Sequence, residues 1–152
     1  MNDTVFLKKR YHISTDKSLL NLELIYNFLD KESYWAKGIE IVTLKDAVEN
    51  SLCFGVYFNQ VTQVGFARVI TDQATFAYLC DVFIMQEYRT LGLSKWLIQT
   101  ILKHPHLQGI RRCLLATADA HNLYSQFGFK QVVRPDSWME IFKPYNSLKK
   151  DK

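Results

Sequence analysis

The sequence lacks the long apolar runs that would place it in a membrane. No apolar stretch approaches the roughly 20 residues that a helix needs to cross a bilayer. The first ten residues carry their basic charges after the apolar ones and contain no extended apolar core, which argues against a signal peptide. We therefore expect a cytoplasmic protein without a membrane partner.

Cysteine is scarce, and its spacing excludes the common cysteine-based sites. The chain has three cysteines, Cys53, Cys80 and Cys113, each isolated in an apolar stretch. An odd number without a Cys-x-x-Cys pair argues against a disulfide framework and fits a reducing cytosol. His104 and His106 flank a proline but have no third ligand close in sequence, so we expect no metal site.

Positively charged residues only slightly outnumber negatively charged ones. The net charge is +4 over 152 residues, and the last four residues hold three lysines and one aspartate of that balance. The remaining bias is too small to favour nucleic acid as a partner, although a small basic nucleic-acid-binding protein stays one alternative. We predict one domain over residues 1–146, followed by a basic tail, residues 147–152, that is disordered.

The hydrophobic pattern predicts a mixed α/β fold. Helices are predicted at 20–30, at 43–50 with Thr43 as its cap, from Leu93 to before Pro105, and after a capping Asp119. Strands are predicted at 11–13, 53–58, 64–70, 76–84, 113–116, 131–133 and 138–142. The helix-length connection between 76–84 and 113–116 indicates a parallel β-α-β crossover. We expect a mostly antiparallel sheet of about seven strands with helices on both faces.

A loop after the apolar strand 76–84 has the composition of a phosphate cradle. It reads Arg89-Thr90-Leu91-Gly92-Leu93-Ser94 and opens directly into a helix, whose first N–H groups lack partners within the helix. Gly92 and Ser94 leave room for a ligand to approach the backbone. A phosphate-bearing cofactor is one interpretation of this loop, and a plain strand-to-helix turn is the other.

A second motif, Leu123-Tyr124-x-x-Phe127-Gly128-Phe129, follows in the second half of the chain. Together with the loop and the strand Val82-Phe83-Ile84, it resembles the GNAT acetyltransferase superfamily over residues 52 to 142. The resemblance implies an acetyl-CoA-dependent N-acetyltransferase in which a primary amine attacks the thioester directly in a ternary complex. We favour a small-molecule amine as the acceptor.

The resemblance also implies roles for individual residues. The backbone of Val82, Phe83 and Ile84 would pair with the pantetheine arm, which requires the two buried strands to splay apart. The pyrophosphate would be held by Arg89, Thr90, Leu91, Gly92, Leu93, Ser94 and Lys95. Tyr124 would act as the general acid that protonates the departing thiolate. Thr90, Leu91, Ser94 and Thr117 depart from the family's usual residues, which puts the strength of cofactor binding in question.

The general base is less defined by the pattern. Asp81 is a lone carboxylate in an apolar strand, where an unpaired charge is costly, and it is our candidate for the catalytic base. A structural ion pair with Arg68 or Arg112 is the alternative for this residue. Asp119, His121 and bulk water are further candidates for removing the amine proton.

Several functional alternatives remain open at this level. Tyr34 and Trp35 could roof the acceptor pocket or simply pack on the sheet. A coenzyme A-binding sensor without catalysis, or an acetyltransferase acting on protein N-termini or lysines, would share the same motifs. A homodimer is compatible with the sequence.

Overall fold

The predicted alternation of strands and helices is present in a computed structural model, which describes residues 3–145. The tail predicted at 147–152 lies outside the described residues. The strands are β1 Tyr11–Ser14, β2 Leu52–Phe58, β3 Thr62–Thr71, β4 Phe76–Ile84 and β5 Arg112–Leu114. The α-helices are α1 Asp3–Lys8, α2 Leu22–Asn27, α3 Ile41–Glu49, α4 Leu93–Leu102 and α5 His121–Ser125. None of the helices within residues 3–145 is long and apolar enough to cross a membrane.

The five strands form one sheet in the order in which they occur along the chain. β1 to β4 pair antiparallel, and β5 pairs with β4 in parallel. A parallel neighbour requires a crossover connection, and α4 supplies it. The predicted β-α-β unit is therefore confirmed.

Helices cover both faces of the sheet, as the sequence predicted. On one face, side chains of α1, α4 and α5 form a core that includes Phe6, Trp96, Leu97 and Tyr124. On the other face, α2 and α3 contribute Ile25, Leu44 and Val48 to a second core. Each helix presents one apolar stripe to the sheet, and burial of that stripe is what fixes its position.

A β-bulge interrupts β4 at the point where the functional site begins. Phe66 pairs with Phe83 and Arg68 pairs with Cys80, so two residues of β4 face a single residue of β3. Asp81 lies in this bulge with a φ of 54°, in the left-handed region. An extra residue bends a strand and increases its twist. Beyond the short pairing of Phe76–Tyr78 with Arg112–Leu114, β4 and β5 are no longer paired.

The prediction of about seven strands is wrong for the described residues, because 131–133 and 138–142 are not paired strands. The two segments are joined through a short 3₁₀ turn, Pro135–Ser137, and leave apolar side chains in solvent. Val133 is 85% exposed and Met139 is 95% exposed. An apolar, extended sequence becomes a strand only when a sheet edge meets it, and the pattern alone does not supply that edge.

Two helix ends and one whole helix also differ from prediction. α3 begins at Ile41, so Thr43 lies inside the helix instead of capping it. Ala120 occupies the N-cap of α5 with no side-chain cap bond, and Asp119 therefore does not cap it. α1 was not predicted, because a helix of six residues is too short for a helical repeat of apolar residues to be recognised. It is held by stacking of Phe6 on Trp96 at 4.5 Å between ring centroids.

Candidate active site

The loop between β4 and α4 leaves the first N–H groups of the helix available. Gly92 is the N-cap of α4 with a φ of 89°, and no side chain caps this helix end. The first intrahelical bond runs from Trp96 N–H to the Gly92 carbonyl at 3.1 Å. The N–H groups of Leu93, Ser94 and Lys95 therefore lack helical partners and point out of the helix end, which carries partial positive charge.

Arg89 fixes this loop to the end of β4. Its Nε donates to the Ile84 carbonyl oxygen at 2.9 Å. The backbone then turns through Thr90, whose φ of 68° is also left-handed. Left-handed residues alternating with right-handed ones aim successive N–H groups toward one concave surface. The loop is thus built as an anion cradle at the mouth of the splayed strands.

A cavity of about 440 Å³ lies against this loop, and we call it the loop-side cavity. Eight of the ten predicted binding residues and the predicted acid line it: Val82, Phe83, Ile84, Arg89, Thr90, Gly92, Leu93 and Ser94, together with Tyr124. Leu91 and Lys95 do not line it, and the Leu91 side chain is 50% exposed. The structure therefore brings most of the predicted residues together around one space.

A second cavity, of about 430 Å³, lies between the separated ends of β4 and β5, and we call it the strand-side cavity. Its walls come from residues 78–82 of β4, from residues 115–120 and from Tyr34, Trp35 and Tyr124. The two cavities share six residues: Tyr34, Trp35, Val82, Asp119, Ala120 and Tyr124. They are adjoining halves of a single cleft that passes between the splayed strands.

Tyr124 lies at the junction of the two halves. It belongs to α5 and its side chain is buried, with its ring edge-on to Phe129 at 5.8 Å between centroids. Burial, followed by the charges of Tyr34 and Asp119, raises the pKa of Tyr124 to about 12. The phenol is consequently protonated throughout the neutral range and available as a proton donor.

Asp81 is fully engaged by two donors. Its Oδ2 accepts from Arg68 Nε at 2.8 Å, and its Oδ1 accepts from Trp35 Nε1 at 2.9 Å. The Arg68 guanidinium also donates to the Ser51 hydroxyl at 3.0 Å. Of the alternatives left open by the sequence, the ion pair with Arg68 is present. The role of Asp81 as a base stays a prediction.

The segment that follows α2 bridges the cleft from one splayed strand to the other. Tyr34 Oη accepts from the Ala118 N–H at 2.9 Å on the β5 side, while Trp35 bonds Asp81 on the β4 side. The Tyr34 and Trp35 rings also contact each other edge-on at 5.0 Å. Two adjacent aromatics were visible in the sequence, but the partners that hold them are distant along the chain and were not predictable.

Comparison with known proteins agrees with this geometry. The model of the acetyltransferase (GNAT) domain matches residues 49–131, more than half of the chain. The chain belongs to the GNAT acetyltransferase family. An inferred acetyltransferase from Gibberella zeae is 33% identical over 137 residues, which cover 76% of this chain and 76% of the relative.

Solved structures extend the similarity to most of the chain. A crystal structure of an inferred GNAT acetyltransferase from Xanthomonas campestris pv. campestris is 48% identical, with a TM-score of 0.86 over 89% of this chain and 94% of that chain. A Mycobacterium tuberculosis protein crystallised in complex with CoA shares the fold, with a TM-score of 0.66 and 13% identity over 80% of this chain and 72% of that chain. This GNAT protein is therefore an acyltransferase by family.

Proposed function

We propose that this GNAT protein transfers the acetyl group of acetyl-CoA to the primary amine of a small molecule, by direct attack within a ternary complex. One observation carries the proposal. A single cleft has unpaired helix N–H groups at one end, a protonated tyrosine at its centre and a carboxylate among aromatic rings at the other end. These are the parts that acyl transfer from a diphosphate-bearing thioester requires.

The residues of the loop-side cavity fit the cofactor that the family uses. The free N–H groups at Leu93, Ser94 and Lys95 would hold the diphosphate, and the unpaired edge of β4 near Val82 would face the pantetheine amides. When bound, acetyl-CoA supplies an acyl group activated as a thioester. The M. tuberculosis protein of the same fold, crystallised with CoA, supports this choice.

Tyr124 would supply the proton that the leaving sulfur requires. In the proposed step the amine nitrogen forms a bond to the acyl carbon, the carbon–sulfur bond breaks, and the Tyr124 hydroxyl gives its proton to the sulfur. The nitrogen then loses its surplus proton to solvent, and a proton from solvent restores the Tyr124 hydroxyl. Because burial keeps the pKa of Tyr124 near 12, the group reaches this step with its proton at neutral pH. Both cavities border this residue, so it can contact both substrates.

Direct attack is favoured because the thiol in the acceptor half is a poor nucleophile. Cys80 lines the strand-side cavity, and burial, together with the nearby Asp81 charge, raises its pKa to about 12. A thiol of this kind is almost wholly protonated at neutral pH, and only the thiolate attacks well. A route through an acetylated cysteine is therefore disfavoured.

The strand-side cavity has the chemistry to receive an amine. Tyr34, Trp35 and Tyr78 place aromatic rings around it, and Asp119 adds a carboxylate on the shared wall. Aromatic faces and carboxylates both attract an ammonium group. The Tyr34–Ala118 hydrogen bond crosses the cleft, which favours a compact acceptor over a peptide chain. Asp119 is exposed to solvent. In this proposal it attracts the ammonium group of the acceptor and transfers the ammonium proton to water.

For Asp81 the contacts support a positioning role. Its two oxygens hold Arg68 and Trp35, so it fixes the aromatic wall of the strand-side cavity. Both carboxylate oxygens of Asp81 are thereby occupied by donors. We therefore propose that Asp81 acts through Trp35 and not by accepting the amine proton.

The experiment is a screen of amines, monitoring release of free thiol from acetyl-CoA. Small amines, amino acids, and peptides with a free N-terminus or an internal lysine are compared at equal concentration. We expect turnover with one or more small amines that exceeds turnover with every peptide. Preferential acetylation of peptides would contradict the acceptor assignment, and binding of CoA without turnover on any amine would favour the sensor alternative.

A further inference from the structure

Arg68 lies behind the wall of the strand-side cavity and does not line it. The residue is on β3, where its register partners are Cys53 on β2 and Cys80 on β4. Its side chain is largely buried, as is that of its ion-pair partner Asp81. A guanidinium in such a place needs a counter-ion and partners for its other N–H groups, because its desolvation is costly. The contacts of Arg68 therefore show which groups this cation organises.

The two neighbouring thiols do not compete with Asp81 for the cation. Burial raises the pKa of Cys53 to about 11 and the pKa of Cys80 to about 12. Both thiols are consequently protonated and uncharged at neutral pH. Within residues 3–145, Asp81 is the carboxylate that pairs with Arg68. The orientation of the guanidinium toward this one carboxylate is therefore what maintains the ion pair.

Ser51 binds a different nitrogen of the same guanidinium. Arg68 Nη1 donates to Ser51 Oγ at 3.0 Å, while Arg68 Nε donates to Asp81. Ser51 Oγ in turn donates to the Ala47 carbonyl oxygen of α3 at 2.6 Å. A planar guanidinium that is bound through two of its nitrogens cannot rotate without breaking one of the two bonds. Ser51, which is buried just after the end of α3, thus sets the direction from which Arg68 meets Asp81.

The contacts continue from Asp81 across the cleft. Trp35 Nε1 donates to Asp81 Oδ1, and the Trp35 ring meets the Tyr34 ring edge-on. Tyr34 accepts from the Ala118 N–H on the far side. An uninterrupted series of polar and aromatic contacts therefore joins the end of α3 to the β5 side of the cleft. Its two aromatic members line the strand-side cavity, whereas the members nearest α3 do not.

We propose that Ser51 and Arg68 are positioning residues for the acceptor, and that they act through Asp81 on the Trp35 wall of the strand-side cavity. Without the Ser51 hydroxyl, the Arg68 guanidinium is free to turn away from Asp81, and the Trp35 indole loses a fixed partner. The acceptor then meets a mobile wall, while the diphosphate cradle and the proton donor are untouched. The effect on the acceptor rests on the proposed function, whereas the effect on Trp35 does not.

The indole N–H signals in a ¹⁵N–¹H NMR spectrum of the full chain test the link to Trp35 without any acceptor. The chain has three tryptophans, and the signal that is lost in Trp35→Phe is that of Trp35. We expect Ser51→Ala to shift this signal upfield, by more than it shifts the other two, because the hydrogen bond to Asp81 weakens. An unshifted Trp35 signal in Ser51→Ala would overturn the proposal.

Thr100→Ala is the matched control for this spectrum. The Thr100 hydroxyl donates to the Trp96 carbonyl oxygen at 2.8 Å, four residues back in a helix, as Ser51 donates to Ala47. It has no hydrogen bond to Arg68 among the described residues. Thr100→Ala should therefore leave the Trp35 signal in place. An equal shift of that signal in both variants would show a general loosening of the fold and would also overturn the proposal.

Steady-state kinetics with the best amine of the screen test the consequence for the acceptor. We expect Ser51→Ala to raise the acceptor KM about three- to tenfold, with kcat and the Kd for CoA changed by less than about twofold. Ser51→Thr keeps the hydroxyl and should restore the KM, and Thr100→Ala should not alter it. An unchanged KM in Ser51→Ala, or a loss confined to kcat, would contradict the positioning role. If no amine is acetylated, the proposed function fails, and the NMR comparison still decides whether Ser51 holds Trp35.

Discussion

The indole N–H of Trp35 and the carboxylate of Asp81, 46 residues apart in sequence, are joined by a hydrogen bond of 2.9 Å. The bond links the segment that roofs the cleft to the bulge in β4 that opens it. Asp81 also pairs with Arg68, so one carboxylate binds both the Arg68 guanidinium and the Trp35 indole. The backbone of Asp81 itself is in the strained left-handed region. The residue of β4 with a left-handed backbone is thus also the one whose carboxylate holds Arg68 and Trp35.

Asp81→Asn tests whether this carboxylate positions Trp35 or accepts a proton. The change leaves the Arg68 charge, with a side chain 14% exposed, without its counter-ion. We expect a loss of roughly 1–3 kcal/mol in the free energy of unfolding, less than the loss on breaking a fully buried pair, and a rise in the acceptor KM. Chemical denaturation and steady-state kinetics measure both. The control is Arg68→Gln with Asp81→Asn, which should recover part of the stability.

The pH dependence separates the two roles of Asp81. If Asp81 positions Trp35, the acidic limb of the kcat/KM profile keeps its apparent pKa in Asp81→Asn. Loss of that limb in Asp81→Asn, measured at a temperature where the variant is fully folded, would identify Asp81 as the base.

Tyr124→Phe removes the proposed acid and little else. We expect kcat to fall about 10²- to 10⁴-fold, while the Kd for CoA changes by less than about threefold. Since the pKa of Tyr124 is raised to about 12, the wild-type kcat should show no decline from loss of this proton below about pH 10. Stopped-flow thiol release and calorimetry are the measurements. Full activity in Tyr124→Phe would exclude this residue as the proton donor.

Thr90 has a φ of 68°, a conformation that suits glycine and strains a β-branched residue. Thr90→Gly removes a penalty of about 1–2 kcal/mol in the folded state and adds about 0.4–1 kcal/mol of unfolded-state entropy. We expect a net gain of about 0.5–1 kcal/mol in stability, measured by denaturant unfolding. Thr62→Gly, at the start of β3, is the matched control and should instead destabilise the protein by about 0.5–1 kcal/mol. A destabilised Thr90→Gly would show that the threonine side chain supports the loop.

Tyr57 has a buried hydroxyl with no hydrogen-bond partner among the described residues. Tyr57→Phe removes the cost of burying that hydroxyl, so we expect the free energy of unfolding to rise by about 1 kcal/mol. Tyr34→Phe, which loses one exposed hydrogen bond, should change it by less than about 0.5 kcal/mol.

The same tyrosine predicts the alkaline stability. Burial, followed by the charges of Asp16 and Cys53, raises the pKa of Tyr57 to about 12, above the ordinary value of 10.0. The unfolded chain ionises first, so stability is complete below pH 10 and falls between pH 10 and about 12 as this group contributes a slope of roughly 1.4 kcal/mol per pH unit. Tyr57→Phe should show a shallower fall over that interval. Identical slopes would contradict the raised pKa.

The local sequence pattern was sufficient to predict much of the fold and to identify most of the residues that line the cleft. Alternation and apolar runs predicted β2, β3 and β4, and a helix-length connection predicted the parallel partner β5. The loop at Gly92 and the motif around Tyr124 were recognisable because their functions depend on small residues and on one aromatic at fixed spacing. The structure brings both to one cleft.

What sequence reasoning missed depends on distant partners. Arg68 was one of two partners that the sequence suggested for Asp81, but nothing near Asp81 indicates Trp35, because that contact arises only when the bulge and the segment over the cleft meet. The segment 138–142 has the composition of a strand, yet strand formation depends on an edge to pair with. Capping failed at Thr43 and Asp119 because a capping residue type is common in loops and does not fix where a helix starts.

The most direct measurement of the central claim is CoA binding by Ser94→Asp, measured by calorimetry beside its thermal stability. A carboxylate in the first turn of α4 favours the helix electrostatically, yet it repels a diphosphate at the same N–H groups. We predict an unchanged or higher Tm, with a Kd for CoA weakened at least tenfold relative to wild type and to Ser94→Ala. Wild-type affinity in Ser94→Asp would show that CoA does not bind at the N-terminus of α4, and the account of the cleft would fail.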